Sequence, residues 1–329
     1  MSKYFKALTT SLNNNGKYIN RITKRAIGDL PNYELLVKVK YSSLNYKDAL
    51  SATGIKGVTR DYPHTPGIDA AGVVEESSNT SFPVGTAVII TGYDLGMNTS
   101  GGFGQYIRVP SKWAVKCPAS LSTKEAMMIG TAGLTAGLSI SAIAEKLKLM
   151  NLSVIVTGAT GGVGSIAVRV LSSLGAKVTA VTGKKEGTSF LKTLGAEKVI
   201  LRDDFLNSTK FPLNKALYSA AVDVAGGNIL SAVLASMKYN SIIAVCGNVA
   251  GAKFETSVFP FILRSNSLVG IDSAEASIKT KKNIWNNFAN AWRIKNIKSM
   301  CKEVDLDDLL PEIHKIIAGK QTGRVLIKL

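Results

Sequence analysis

The amino-acid sequence predicts an α/β fold in two domains, one a barrel-like antiparallel arrangement of strands and the other a doubly wound parallel sheet. The chain has 329 residues, which is more than one ordinary core accommodates. Up to about residue 123 it consists of short β-like runs separated by Gly and Pro. From residue 124 strand-like and helix-like segments alternate, which is typical of a parallel sheet.

The strands of the first domain are predicted from four short runs. Residues 35–41 and 105–109 alternate between apolar and polar side chains, as a half-buried strand does. Residues 70–74 and 87–90 are apolar, as in a strand that is buried on both faces. Gly and Pro between these runs indicate turns, so we expect successive strands to pair in an antiparallel manner.

The second domain is predicted to contain six strands, with helices between most of them. The strands are expected at 153–157, 177–181, 197–201, 220–224, 241–245 and 267–271, with helices at 164–174 and 186–194. The last segment should form a helix and a final strand at 324–329. The apolar face of that helix is expected in the core because its residues recur at i, i+3, i+4 and i+7. They are Ile284, Trp285, Phe288, Ala289 and Trp292.

The charge and cysteine content limits the possible functions. The net charge of +17 is spread evenly, because 1–123, 124–273 and 274–329 each carry an excess of five or six positive charges. Three explanations of this positive charge are possible, in order of preference: a basic soluble surface, attraction of a phosphorylated cofactor and substrate, and nucleic-acid binding. The three cysteines lie far apart, which favours a reducing compartment over a disulfide framework. Two histidines are too few for a His-rich metal site.

No targeting or membrane segment is predicted. The first 16 residues lack the apolar core and cleavage pattern of a signal peptide, so we expect a cytoplasmic protein. Residues 126–144 carry no charge over 19 positions, which approaches the length of a membrane span. Glycines, serines and threonines interrupt this stretch, so we interpret it as a buried helix of a large domain.

A glycine-rich turn in the middle of the chain predicts a dinucleotide site. Residues 156–164 read VTGATGGVG, with a predicted strand before the turn and a helix after it. Ala159, Gly161 and Gly164 match the dinucleotide fingerprint with its first glycine replaced. Gly161 would let a pyrophosphate approach the backbone, and Gly164 would let helix and strand pack closely. The predicted contacts are Thr160, Gly161, Gly162, Val163 and Gly164.

The end of the next strand favours NADPH as the cofactor. Chains that bind NAD usually place an acid there to hold the ribose 2′-hydroxyl. This chain has Thr182, Gly183 and Lys184 instead, and a hydroxyl with a cation suits a 2′-phosphate. The alternative interpretation is a solvated loop with ordinary lysines.

These motifs resemble those of the medium-chain dehydrogenases/reductases, over nearly the whole chain. The similarity is greatest to the zinc-free branch of quinone oxidoreductase-like proteins and acrylyl-CoA reductases. It rests on SSLNYKDAL (42–50), PGIDAAG (66–72), MIGTAGLTA (128–136), VTGATGGVG (156–164), LKTLGA (191–196), PFILR (260–264) and TGRVLIKL (322–329). The resemblance implies a GroES-like β-barrel catalytic domain, 1–123 with 274–329. It also implies a Rossmann domain that binds NADPH, 124–273.

The sequence departs from the zinc-dependent members of this superfamily at their ligand positions. Those members have Gly-His-Glu where this chain has Gly67, Ile68 and Asp69, and a cysteine where it has Asn45. The four-cysteine run that holds their second zinc is missing as well. Without thiolate or imidazole ligands we expect no bound zinc. His64 lies nearby in a turn and is expected to be structural.

The resemblance also implies the remaining site residues. Asn45, Tyr46 and Asp48 would lie at the nicotinamide, where Tyr46 could position the ring or protonate the substrate and Asn45 could donate to a developing enolate. Alternatively, Tyr46 packs against its neighbours and Asp48 holds the local backbone. For Asp48 we prefer the backbone role. Further cofactor contacts implied in this way, each of which could instead lie at a domain interface, are Arg202, Asn248, Ile262, Ser273 and Arg324, and Arg264 is grouped with them.

The function predicted from these features is NADPH-dependent reduction of an α,β-unsaturated acyl thioester, with acryloyl-CoA as the leading substrate. An NADPH:quinone oxidoreductase is the alternative within the same class. A nucleotide-gated RNA-binding protein is the alternative from another class, and the even charge distribution counts against it. The resemblance suggests a homodimer that forms through the outer strand near 267–271.

Overall fold

A computed structural model describes residues 3–209 and 211–329, which form fifteen strands and nine α-helices within these ranges. The strands are β1 Tyr4–Leu12, β2 Tyr18–Ala26, β3 Leu35–Ser43, β4 Asp69–Ser77, β5 Ala87–Thr91, β6 Tyr106–Val109, β7 Ala114–Lys116, β8 Ser153–Val156, β9 Lys177–Thr182, β10 Lys198–Leu201, β11 Tyr218–Asp223, β12 Met237–Val245, β13 Ser267–Gly270, β14 Cys301–Asp305 and β15 Arg324–Lys328. The helices are α1 Tyr46–Ala52, α2 Thr123–Ala144, α3 Gly162–Ser173, α4 Thr188–Thr193, α5 Arg202–Asn207, α6 Gly227–Ala235, α7 Phe259–Ile262, α8 Ile278–Ala289 and α9 Leu309–Ile317.

The chain divides into two compact units. The first comprises Met1–Thr131 with Ala274–Leu329, and the second comprises Ala132–Ser273. They are called the catalytic unit and the nucleotide unit, after the roles that the sequence leads us to expect. The domain limits expected from the sequence, before residue 124 and after residue 273, stay a prediction.

The catalytic unit is built on a seven-stranded sheet. Its strand order is β14-β15-β3-β4-β5-β7, with β6 pairing to β3, and all pairs but β14–β15 are antiparallel. The alternation predicted for 35–41 is confirmed in β3, where Leu35, Val37 and Val39 point into one core. That core is completed by residues of the neighbouring strands and loops, namely Ala70, Val74, Val88, Ile90, Leu95, Ile107, Val109 and Ala114.

The nucleotide unit is a six-stranded parallel sheet in the order β10-β9-β8-β11-β12-β13. The first strand of the unit lies at the centre and the chain winds outward from it on both sides, which is the doubly wound order of a Rossmann fold. The α/β fold class predicted from the sequence is therefore confirmed. β8 and β11 are neighbours at the centre, and their carboxyl ends lie at the point where the direction of winding reverses.

Several elements escaped the sequence analysis. The hairpin β1–β2, helices α1 and α9, and strands β7 and β14 are absent from the sequence-based prediction. α1 has only seven residues and β7 three, so neither gives a periodic signal of useful length. The aromatic face of the last helix is buried as expected, but α8 ends at Ala289 and Trp292 lies beyond it.

The uncharged stretch at 126–144 forms most of α2. By length and composition this helix could cross a membrane, but 78% of its apolar window is buried inside the protein. Burial of that extent is what a core helix shows. The helix is interrupted at Gly130, where φ is 54° and ψ is −161°.

Candidate functional site

The glycine-rich turn lies between the central strand of the nucleotide unit and its first helix. Gly161 is the N-cap residue of α3 and offers no capping side chain, so the first N–H groups of the helix are not covered from their own turn. The Thr157 hydroxyl donates to a carboxylate oxygen of Asp223 at 2.6 Å and accepts from the Val224 amide at 3.1 Å. These bonds hold the start of the turn to the end of β11.

Two glycines keep this turn free of side chains. A Cβ on Gly164 would lie 2.5 Å from the carbonyl oxygen of Gly158 and 2.7 Å from Cα of Ala159, so only glycine lets α3 approach the strand end. A Cβ on Gly161 would meet one atom, the Gly158 oxygen, at 3.3 Å. The turn thus combines an open helix N-terminus with close helix–strand packing, and both features fit a dinucleotide pyrophosphate.

At the end of β9, the cationic side chains of Lys184 and Arg202 lie near Gly183. The Thr182 hydroxyl is buried, lies 3.1 Å from that of Thr160 and accepts from the Lys184 amide at 3.1 Å. A Cβ on Gly183 would lie 3.2 Å from Nη1 of Arg202, so the guanidinium rests against this glycine. Burial lowers the pKa of the Lys184 amine. Threonine, glycine, lysine and arginine are therefore neighbours here, as a site for the 2′-phosphate of NADPH would require.

The other predicted cofactor contacts of this unit, Asn248, Ser273 and Ile262, have different surroundings. Asn248 lines a groove at the carboxyl ends of β12 and β13, together with Cys246 and Gly247. Ser273 accepts a hydrogen bond from Thr135 at 2.7 Å, and Ile262 ends α7 with 68% of its surface exposed. Their roles toward a cofactor stay predictions.

Arg264 holds three main-chain carbonyl oxygens, and its role toward a cofactor stays a prediction. Its guanidinium donates to the carbonyl oxygens of Ala235 at 2.9 Å, Met237 at 2.7 Å and Asn214 at 2.5 Å. The cation therefore stabilises the carbonyl end of α6 and the segment before β11.

In the catalytic unit, the sequence NYKD forms the start of α1. Asn45 is the N-cap residue, and the Asp48 carboxylate accepts from the Asn45 amide and from the Ile68 amide, both at 2.7 Å. Burial, and then the charge of Asp69, raise the pKa of Asp48 to about 7. These contacts agree with the interpretation that Asp48 holds the local backbone. Tyr46, the first residue of the helix, is half-buried.

The side-chain amide of Asn45 is engaged within the protein. Its nitrogen donates to the Asp69 carboxylate at 2.8 Å and lies within 3.3 Å of acceptors on Ser43 and Asp48. Its oxygen accepts from Nη1 of Arg324 at 3.3 Å. Donation from Asn45 to a substrate enolate would therefore require these bonds to break.

Arg324 lies in the same buried cluster. Its guanidinium donates to the carbonyl oxygens of Met128 and Leu44, and Nη2 lies 4.0 Å from the Asp69 carboxylate. Only 3% of the residue is exposed, and burial lowers its pKa. The cofactor contact predicted for Arg324 stays a prediction.

The residues at the family's zinc position do not fit a zinc ion. Asn45 and Ile68 replace the cysteine and histidine of the zinc-dependent members, and the Asn45 side-chain amide donates to the Asp69 carboxylate. Across residues 3–209 and 211–329, no three His, Cys, Asp or Glu side chains cluster in a way that could hold a metal. His64 is buried away from them, and its backbone pairs with that of Thr10.

The fold and these motifs define a two-domain dehydrogenase. Residues 31–119 match the alcohol dehydrogenase GroES-like domain, and residues 162–290 match the family described as zinc-binding dehydrogenase. The chain belongs to the medium-chain dehydrogenase/reductase superfamily, in the branch that contains quinone oxidoreductases and acrylyl-CoA reductases.

Particular relatives are similar over almost the whole chain. A putative quinone oxidoreductase YhfP of Bacillus subtilis is 39% identical, with all of both chains covered. The acrylyl-CoA reductase AcuI of Ruegeria pomeroyi is 38% identical, with 95% of both chains covered. Among solved structures, the YhdH oxidoreductase of Salmonella enterica in complex with NADP has a TM-score of 0.95 at 38% identity, covering 98% of this chain and 99% of that one. The B. subtilis protein with NAD bound has a TM-score of 0.96 at 38% identity, with both chains fully covered.

Proposed function

We propose that this protein is an NADPH-dependent reductase that saturates the C=C bond of an α,β-unsaturated acyl thioester, with acryloyl-CoA as the leading substrate. The observation that carries the proposal is that Asn45 and Ile68 stand where the zinc-dependent members have cysteine and histidine, and that the Asn45 side chain is hydrogen-bonded to Asp69 instead. A site without a Lewis acid there is poorly suited to an alcohol or a simple carbonyl, and it suits an acceptor that is already electron-poor. The similarity to acrylyl-CoA reductases supports this choice.

The nucleotide unit would hold NADPH by its phosphates. The turn at Gly161 and Gly164 suits the pyrophosphate, and Thr182, Lys184 and Arg202 suit the 2′-phosphate. Two solved relatives contain NADP or NADPH and one contains NAD, so the preference of this chain is part of the proposal.

The β-carbon of the thioester would accept a hydride from NADPH held at Gly161, Thr182 and Lys184. The protein's own residues orient the two reactants, exclude water and deliver a proton to the α-carbon, so that one hydride and one proton saturate the double bond. Tyr46 is the side chain we assign to the proton, because it starts α1 and is half-buried. Asn45 is assigned a positioning role, since both ends of its amide are engaged in the protein.

A substrate panel with NADPH tests the proposal. Acryloyl-CoA should be reduced with a much higher kcat/KM than a simple quinone or an aldehyde, because remote contacts to the CoA portion help to orient the reacting carbons. Crotonyl-CoA reports on acyl chain length, and a short thioester without the CoA portion is the matched control. Equal efficiency on quinone and thioester would instead favour a quinone oxidoreductase, the function named for the B. subtilis relative.

Metal analysis tests the zinc part of the proposal. Purified protein should contain no stoichiometric zinc, and chelators should leave turnover intact, because Asn45 and Ile68 supply neither a thiolate nor an imidazole. One zinc per chain, with loss of activity on its removal, would contradict the proposal.

A further inference from the structure

The buried carboxylate of Asp69 accepts hydrogen bonds from three residues of the catalytic unit. Asp69 is fully buried at the start of β4. One carboxylate oxygen accepts from the Ser43 hydroxyl at 2.5 Å, from the Asn45 side-chain amide at 2.8 Å and from the Thr131 backbone amide at 2.8 Å. The other accepts from the Thr131 hydroxyl at 2.5 Å.

The partners come from two parts of the chain, the segment with Ser43 and Asn45 and the distant Thr131. Ser43 ends β3, Asn45 caps α1, and Thr131 follows the interruption of α2 at Gly130. The non-helical backbone of Gly130 leaves the Thr131 amide directed at the carboxylate instead of at the preceding turn. Arg324 adds a positive charge 4.0 Å away. A buried carboxylate is tolerated when donors and an opposite charge surround it in this way.

We propose that Asp69 is a positioning residue of the reaction, which holds the Asn45 side chain and thereby the start of α1 that carries Tyr46. The inference rests on the proposed function in one respect, the assignment of Tyr46 to the reacting groups. It differs from a general stabilising role because Asn45 and Tyr46 are adjacent in sequence and at the same helix end, so a displaced amide moves the tyrosine backbone.

Two neighbouring serines on β3 provide a matched pair of variants. Ser43 and Ser42 are both fully buried, and each donates one hydrogen bond to Asp69. The bond from Ser43 goes to the carboxylate, whereas the bond from Ser42 goes to the main-chain oxygen at 2.6 Å. Ser43→Ala and Ser42→Ala therefore remove comparable bonds, and only the first disturbs the carboxylate.

Steady-state kinetics on both variants and on Asp69→Asn form the first arm of the test. Ser43→Ala should lower kcat about tenfold or more with little change in KM, because a small misplacement of a reacting group has a large effect on rate. Asp69→Asn should have a larger effect in the same direction. Ser42→Ala should keep kcat within about twofold, while its melting temperature falls as far as that of Ser43→Ala.

The second arm needs no turnover. Protein labelled with 3-fluorotyrosine gives a ¹⁹F resonance for Tyr46, which is assigned by its loss in Tyr46→Phe. That resonance should shift in Ser43→Ala and keep its position in Ser42→Ala. If the resonance and kcat respond equally in the two serine variants, Asp69 is structural only and the inference is overturned. If the parent enzyme reduces neither thioester nor quinone while the resonance shifts as expected, the proposed function fails and the positioning role stands.

Discussion

At the scale of single residues, Asn45 and Tyr46 are neighbours with different surroundings. The Asn45 amide is held between Asp69 and Arg324, whereas Tyr46 is half-buried at the first position of α1. Both residues are predicted from the sequence to act on the nicotinamide and substrate. We therefore keep Tyr46 as the proposed proton donor and propose that Asn45 has a positioning role.

Tyr46→Phe should lower turnover with little effect on NADPH binding. The variant keeps the ring and removes only the hydroxyl, and general acid assistance is typically worth ~10²–10⁴-fold in rate. Stopped-flow turnover and fluorescence titration of NADPH measure the two quantities. Tyr33→Phe, at a partly exposed tyrosine that packs near Trp113, is the control. An unchanged turnover number in Tyr46→Phe would show that the hydroxyl gives no proton.

Lys184→Ala should weaken NADPH binding and leave NADH binding almost unchanged. A charge-assisted hydrogen bond contributes about 1.5–3 kcal/mol, so the Kd of NADPH should rise roughly tenfold or more. Titration of both cofactors at low and moderate salt checks this, because salt screens an exposed pair. Lys185→Ala is the matched control from the adjacent position.

Thr182→Ala should behave differently, because its hydroxyl also holds the backbone of the loop through the Lys184 amide. Its loss should weaken binding of both cofactors. A parent enzyme that prefers NADH, or a Lys184→Ala variant that binds NADPH as tightly as the parent, would contradict the assignment of this loop to the 2′-phosphate.

Asp48→Asn should alter the pH dependence of stability. The pKa of Asp48 is raised from 3.8 to about 7 in the folded protein, so the unfolded chain loses this proton first. The protonated carboxyl therefore stabilises the folded protein fully when the pH is below its pKa in the unfolded chain. This stabilisation is lost as the pH rises through its pKa in the folded protein. The destabilisation caused by Asp48→Asn should be larger near about pH 5 than near about pH 8.

Urea unfolding of parent and variant at these two pH values measures the difference. Asp94→Asn is the control for the same chemical change elsewhere, since Asp94 is partly exposed and bonds to Asn98 and Thr99. A difference between parent and Asp48→Asn that is the same at both pH values would mean that Asp48 does not titrate in this range.

At the scale of elements, the interruption of α2 decides how the buried cluster is assembled. Gly130 adopts φ 54° and ψ −161°, a conformation that is essentially restricted to glycine. A Cβ at this position would lie 2.6 Å from the Asp69 carboxylate and 2.7 Å from Nη2 of Arg324. Backbone conformation and space both require glycine here.

Gly130→Ala should therefore destabilise the protein by at least about 3 kcal/mol, from backbone strain and overpacking together. Gly28→Ala is the control, because a Cβ there meets nothing within 4 Å and its φ is not positive. The control should change stability by less than about 0.5 kcal/mol. Denaturant unfolding compares the two, and equal stability of both variants would refute the argument from Gly130.

At the scale of the whole molecule, the outer strand of the nucleotide unit leaves an unpaired edge. Within the described residues β13 pairs only with β12. Exposed apolar side chains lie in the segment that precedes β13 and in the strand itself. Val258, Phe259, Leu263 and Leu268 are 61%, 45%, 57% and 37% exposed. An open strand edge with apolar neighbours is a typical surface for association.

We expect a homodimer that pairs through this edge. Light scattering should give twice the 34.9 kDa mass of one chain, and Leu263→Asp combined with Leu268→Asp should give a monomer. Met150→Asp, at an apolar side chain that is 67% exposed elsewhere in the same unit, should leave the mass unchanged. A parent protein that is monomeric at high concentration would rule out the dimer.

The fold class and the position of the glycine-rich turn are predictable from the sequence alone. Alternation in 35–41, the apolar strands of the second half and the spacing of Gly161 and Gly164 are local patterns, and local patterns specify secondary structure and a strand–turn–helix motif. The same locality explains why α1 and the hairpin β1–β2 are not predicted, since α1 has only seven residues and β2 has no regular apolar–polar alternation.

The hydrogen-bonding partners of the buried polar residues in the catalytic unit follow from the fold. Ser43 and Asn45 are close in sequence, but Asp69, Thr131 and Arg324 come from distant stretches of the chain, and the five meet through side-chain hydrogen bonds and charge. No spacing rule joins these stretches, because the burial of each is set by the packing of different elements. The sequence places Asn45 and Ile68 where the zinc-dependent relatives have cysteine and histidine. The fold adds that the Asn45 side chain binds Asp69, because a buried carboxylate must find donors wherever the chain brings them.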